Sequence, residues 1–424
     1  LTRVGSEPFI VIERRKELTY LLCQAAELEH GIMCQYLYAA FSLKQHADAR
    51  LREDQLATVE RWRSTIFAIA REEMLHWALV QNLLVAVGSA PFVSRPHLPH
   101  QAKGYPPGVQ LRLLPFGREA LQHFVYLERP AGVELSDGSG FVPDGDAPAP
   151  MAVDEVVPRA QDFVRVGHLY RSIEAGLANL AAKLGEDKLF IGPAFHQADD
   201  HSFGWPDLRP IVDLAGASAA VERIVVQGEG ASGDWASAHY GRFVEMLREY
   251  DAITRDDPAF EPARPVVAAG MRAVDGIEPD FYISDPLTGM TSDLFNAVYE
   301  LLLQVVSRYF AFGHETAAER VMLAQICVDL MIKVIEPLGN MLARMEVGPE
   351  HAGMAAGANF QLPYRANFLL PHRRSAWIRF AERLRELGTF ACDIPQFDPK
   401  NTTAHIGGVL STMGEQIEAH VESA

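Results

Sequence analysis

Residues 64–88, "STIFAIAREEMLHWALVQNLLVAVG", form an apolar run long enough for a buried helix, yet they carry Glu72, Glu73 and His76 in the middle. Burying a carboxylate and an imidazole costs free energy unless something pairs with them. The run therefore admits two solutions: a helix whose polar side meets water, or a helix of a bundle whose interior holds a cation. Glu73 and His76 stand three residues apart, so they share a helix face and can grip one ion together. Ile69, Val80 and Leu84 fall on the same broad side, which sets the pair on or beside the apolar stripe. Glu72 is rotated away from that side, toward water.

The rest of the chain supplies partners for such a helix. Residues 14–44 read as a long helix rich in Leu, Ala and Glu, and residues 54–87 as a second that stops at Gly88 with Pro91 beyond. From 91 to 158 the texture turns Pro- and Gly-rich, with a strand in "VQLRLLP" and a short helical piece in "REALQHFVYLE"; this reads as an insertion between bundle helices. A third helix ends at Gly185, and a fourth, broken by "GEGASG", resumes through "AHYGRFVEMLREYDAI". The pattern predicts a mostly α chain with a four-helix unit over 1–251, a Pro- and Asp-rich crossover over 252–290, and a C-terminal helical extension over 291–424. Within the extension, helices are predicted over 291–312 and 316–345, with "RRSAWIRFAERLRELG" as the last.

A di-metal carboxylate bundle takes one Glu from each of two helices and a Glu-x-x-His pair from each of the other two. Carboxylates bridge and neutralise two cations, and neutral imidazoles provide terminal nitrogen ligands. Besides Glu73 and His76, the first helix offers Glu29, on one face with Leu22, Ala25, Ile32 and Tyr36. The third offers Glu174 or His168, and the fourth offers Glu229 and, ten residues on, His239. Tyr36, two turns after Glu29, is placed to donate a hydrogen bond to the site, and Tyr36 or Tyr170 to relay an electron. Glu27 and His30 fall off the first helix's stripe, with His30 a candidate outer partner of the site.

Acidic residues outnumber basic ones 55 to 38, for a net charge of −17, which disfavours nucleic acid and anionic lipid as partners. No apolar run reaches the length of a membrane span. The first residues lack the charged-then-apolar layout of a secretory signal. Of the four cysteines, Cys23 and Cys34 would sit about 16 Å apart along one helix, too far for a disulfide. A cytoplasmic protein with reduced thiols is expected. There is no Gly-rich phosphate loop, no nucleophile motif and no Cys-x-x-Cys pair.

The stretches "AAELEHGIMCQYLYAAFSL", "IAREEMLHWALVQNLLVAVGSAP", "IVVQGEG" with "AHYGRF", and "AAGANF" resemble the ferritin-like family typified by iminophenyl-pyruvate dimer synthase, the violacein- and rebeccamycin-pathway type that oxidatively couples two indole-pyruvate imines. The resemblance runs to about residue 360. It implies a ferritin-like bundle with a metal site, and it matches Glu29, Glu73, His76, Glu229 and His239 to the family's positions. Relatives often carry an acidic residue where this chain has His168. The large pathway enzymes also carry additional sequence. With the residue pattern, the resemblance leads us to expect a di-iron oxidoreductase, with manganese or another divalent metal as the variant. Its partner would be a small organic molecule, and a homo-oligomer is compatible with it. A metal-handling protein without an organic substrate, or a scaffold with a decayed site, are the competing expectations.

Overall fold

The computed structural model describes residues 10–101, 110–130, 133, 157–158, 161, 163, 165–230, 234–268, 281–362 and 372–423. Two long helices, α1 (Arg15–Ser42) and α2 (Glu53–Ala86), pack side by side and form its spine. Glu17 starts α1 by reaching back to accept the backbone N–H groups of Glu13 and Arg14, and Gln55 does the same for Arg52 at the start of α2. At the end of α2 the Ser89 N–H returns to the Leu84 carbonyl at 2.8 Å, closing the last turn at the predicted stop.

Shorter helices pack around this pair. The 91–158 segment contributes a two-residue antiparallel ladder, β1 (His100–Gln101) with β2 (Gln110–Leu111), and a helix, α3 (Arg118–Leu127). Next come α4 (Val166–Leu184), the one-turn α5 (Glu186–Leu189) and α6 (Asp200–Phe203), then α7 (Leu214–Gly228) and α8 (His239–Asp256). α3 lies against α8, and α4 lies against α7 and α1, while α2 touches both α7 and α8. The "SDGSGFVPDGDAPAP" part of the segment falls outside the described residues. The expected insertion is thus, in part, a working helix of the bundle.

Beyond it come α9 (Pro286–Phe310), α10 (Ala317–Leu330), α11 (Glu336–Leu342), α12 (Arg373–Asp393) and α13 (Thr402–Ser423). Asp285 caps α9 ahead of Pro286, and Thr316 with Glu319 forms a reciprocal cap on α10. One helix predicted for 316–345 is instead α10 and α11 joined by a π-turn over Met331–Ile335, where the Glu336 N–H bonds to the Met331 carbonyl. Pro337 supplies the reason, since it has no N–H to continue the α-ladder.

The sequence reading also stopped one helix short. α13 is glycine-rich, and its Gly407 meets Gly388 of α12: a Cβ on Gly388 would meet the Gly407 carbonyl at 2.9 Å, and one on Gly407 would meet the Gly388 carbonyl at 2.7 Å. α12 and α13 therefore approach backbone to backbone, with propensity given up for closeness. One continuous apolar core runs from α1 to α13.

Candidate metal centre

Two groups of buried acidic and imidazole side chains can each hold an ion: Glu29, Glu73 and His76, and Glu73, Glu128 and His239. They share Glu73. Glu29 comes from α1, Glu73 and His76 from α2, Glu128 from the residue that ends α3, and His239 from the first residue of α8. All five are at most 6% exposed, so none is a solvated surface charge.

The His76 Nδ1 lies 2.9 Å from Glu73 Oε2 and 3.7 Å from Glu29 Oε2. The His239 Nδ1 lies 2.7 Å from Glu73 Oε1 and 3.6 Å from Glu128 Oε1. The two imidazole rings face one another with centroids 5.4 Å apart and planes 27° from parallel. Each ring is steered from behind. His76 Nε2–H donates to Gln227 Oε1 at 2.9 Å, and His239 Nε2–H donates to Glu72 Oε2 at 2.9 Å. In the neutral ring an Nε2–H committed outward leaves Nδ1 as the lone pair facing the carboxylates, the orientation a metal-ligating histidine needs.

That orientation provides a test of fit. The buried His239 Nδ1 makes no hydrogen bond although two carboxylate oxygens stand close by. In a neutral imidazole a lone pair facing two carboxylate oxygens is repulsive, and a proton or a metal cation between them turns the arrangement attractive. The donor set of three carboxylates and two imidazoles suits iron, manganese or zinc.

The protonation energetics of the metal-free site agree. Burial pushes the Glu29 carboxyl up to about 8, helped by the negative charge of Glu73. Burial pulls the other way on His76, yet Glu73 and Glu29 raise it to about 9; His239 is raised well above its ordinary value, against burial, by Glu73 and Glu128. Burial disfavours the Glu73 anion, but His239 and His76 outweigh it and hold the carboxyl well below its usual range. Raised proton affinity at Glu29, His76 and His239 is what offsets the converging negative charge.

Around this centre, Tyr170 donates its hydroxyl to Glu29 and Tyr36 donates to Glu128. The structure therefore brings Glu29, Glu73, His76 and His239 together and sets both tyrosines on carboxylates of the groups. Glu229 lines the same small space without belonging to either group; Gly167 N–H donates to its Oε1 at 3.0 Å, and Arg171 reaches Oε2 at 3.3 Å. A Cβ on Gly167 would overlap that carboxylate, so the seat requires glycine. Glu174 and His168, both half-buried on α4, fall outside the two groups.

Three readings change. Glu72, expected to face water, is the partly buried acceptor of His239 and Arg242, which outweigh its burial and lower its carboxyl to about 2. His30, a candidate outer partner of the site, instead bonds the Tyr299 hydroxyl on α9. Glu128 was missed. Its signal was present, because Leu121, Phe124 and Glu128 fall on one face of a short helix, but that helix sits in a segment with the texture of a loop. Ala236 occupies the place three residues before His239 where a second Glu-x-x-His pair would have its Glu.

The sequence model of the family described as Ferritin-like matches residues 22–248. The chain is 27% identical over 403 residues to dichlorochromopyrrolate synthase of Lentzea aerocolonigenes, covering 84% of this chain and 37% of that protein. It is 28% identical over 365 residues to 2-imino-3-(indol-3-yl)propanoate dimerase of Chromobacterium violaceum, covering 82% and 34%. The chain thus spans about a third of the length of the curated relatives it matches. A fold likeness with TM-score 0.48 and 19% identity links it to a ferritin-like protein of Caulobacter vibrioides, over 76% of this chain and 96% of that one. Among the described residues, no helix is long and apolar enough to cross a membrane. With more than half of the chain matched, and with the Glu-x-x-His pair of α2 turned into a helical bundle, this chain belongs to the ferritin-like family.

Proposed function

We propose that the chain is a non-haem di-metal oxidoreductase, with two iron ions as the resident metals, acting on a small imine or aromatic amino-acid derivative. The observation that carries this reading is the pair of ligand groups sharing Glu73. Glu29, Glu73 and His76 would hold one ion, and Glu73, Glu128 and His239 the other. When bound, the ions would supply the redox chemistry with dioxygen or peroxide. The names of the relatives, a synthase and an imine dimerase, support a small organic substrate.

The protein's own part is positional. Gln227 and Glu72 hold the imidazole tautomers, and Tyr170 and Tyr36 orient Glu29 and Glu128 through donated hydrogen bonds. The tyrosine hydroxyls, buried among carboxylates, are the groups from which we would have a proton or electron move. Packing of α1, α2, α4 and α7 excludes bulk water. Glu229 is, in this reading, a further carboxylate available to the ions from its seat on Gly167 and Arg171.

One observation favours a second reading, metal handling without an organic substrate: the space in direct contact with the ligands is about 20 Å³, enough for one water-sized molecule. Two measurements test both. Metal analysis of wild type beside a Glu73→Ala/His76→Ala variant should show most of the metal lost with helicity intact; equal content would remove the site from here. Dioxygen consumption that rises on adding aryl imines supports the oxidoreductase, and consumption indifferent to them leaves metal handling.

A further inference from the structure

Residues next to the ligands in sequence face the opposite way. Ligands Glu29, Glu73 and His76 turn into the bundle, while their neighbours His30, Met74 and Trp77 line a different space, between the outer faces of α1 and α2 and the helices α9 and α10. This space has a smaller part of about 70 Å³ and a larger part of about 640 Å³, and Met33, Met74, Trp205, Tyr299, Leu302 and Met331 border both. A volume of several hundred cubic ångströms with apolar walls and few polar groups is the usual form of a small-molecule site.

The walls are specific in kind. Phe203 and Trp205 stack with planes 21° apart and centroids 5.2 Å apart, offering a flat aromatic surface. Met33, Met74 and Met331 bring three thioethers, which contact aromatic rings favourably and adapt to their shape. Met331 begins the π-turn, a distortion frequent at functional sites because it re-aims side chains. The Trp77 Nε1–H is buried and has no hydrogen-bond partner. A buried indole N–H without an acceptor is uncommon enough in native proteins to call for an explanation, and an acceptor arriving with a ligand is one.

We propose that this chamber binds a planar aromatic molecule carrying a hydrogen-bond acceptor, with the acceptor met by Trp77 and the ring held between the thioethers and the Phe203–Trp205 surface. The assignment deepens the function proposed above, resting on it only for the molecule's fate; binding itself requires no metal.

The test is calorimetric titration of the metal-free, full chain with indole-3-carboxaldehyde, which has a carbonyl acceptor, and with 3-methylindole, which has none. Both should bind saturably at one site. Trp77→Phe should weaken the aldehyde about five-fold, the typical worth of one net hydrogen bond, and leave 3-methylindole unchanged. Met331→Trp, which fills the chamber, should abolish both. Glu73→Ala should retain both. Absence of saturable binding overturns the proposal, as does binding untouched by Met331→Trp in a variant with native helicity. Loss of binding in Glu73→Ala would move the ligand to the metal centre and also overturn it. Should Met331→Trp not fold, the Trp77→Phe comparison decides: a loss confined to the aldehyde supports the chamber, and any other pattern overturns it. The oxidoreductase reading fails separately, on metal content and dioxygen consumption.

Discussion

The centre built on α1, α2, α3 and α8 and the junction built on α9, α10, α12 and α13 both bury charge, but they balance it differently. At the junction the buried carboxylates have met their opposites. Arg308 pairs with Glu315, both nearly inaccessible, and Glu319 receives Arg373 and His420 while also capping α10. At the centre, three carboxylates converge on two imidazoles, and the balance is reached only by raising pKa values. Complete pairing marks a charge cluster that holds helices together. Incomplete pairing is what a cation site would leave when its ion is not counted, because burial of like charges is unfavourable unless something offsets it.

Breaking the junction should have the largest effect on stability. Arg308→Ala leaves Glu315 buried without its main partner and should cost about 3–5 kcal/mol in chemical denaturation, with or without metal. A loss below about 1 kcal/mol would show the pair to be dispensable and weaken the contrast.

Glu128→Ala should act the other way round. It removes a proposed ligand and should lower metal affinity by more than the roughly 10–100-fold lost when an outer partner of a ligand is removed. Denaturation of the metal-free variant should match metal-free wild type within about 1 kcal/mol, since one of the converging negative charges is gone. Unchanged metal affinity would take α3 out of the centre.

The pH dependences sharpen the comparison. Glu29, at about 8 against an ordinary 4.5, and His76, at about 9 against 6.5, both bind protons more tightly when folded. Their contribution is complete below the unfolded values and disappears as pH rises through 8 and 9. Metal-free protein should therefore lose stability from about pH 4.5 to 9, and added ferrous or manganous ion should flatten that slope. Glu319 has the opposite sign: burial resists its ionisation, but Arg373, His420 and the Thr316 cap lower it to about 2. Its contribution is present above 4.5 and lost as pH falls toward 2, whether or not metal is bound. Thermal midpoints across pH, with chelator and with metal, distinguish the two regions.

The smallest effect is expected for Tyr170→Phe, which removes one hydrogen bond to Glu29. Metal affinity should fall by about 10-fold, at the low end for an outer partner, with stability altered by no more than about 1 kcal/mol. An unchanged affinity would make the tyrosine a packing residue.

The sequence by itself determined the helical character of the chain and the partnership of Glu73 with His76. Both are local properties: the apolar period sets the helix, and a three-residue spacing puts two side chains on one face whatever surrounds it. Glu29 was legible for the same reason, lying on the apolar stripe of a long helix. Only the tertiary structure decided that the short α3 would deliver Glu128 and that Glu72 would turn from solvent to steer His239. It also decided that α13 would trade helix propensity for contact with α12. Those outcomes depend on which helix faces which, and at what height, and residues distant in the chain carry no periodic record of that. Helices are specified along the chain, whereas a site shared by four of them is specified by how they pack.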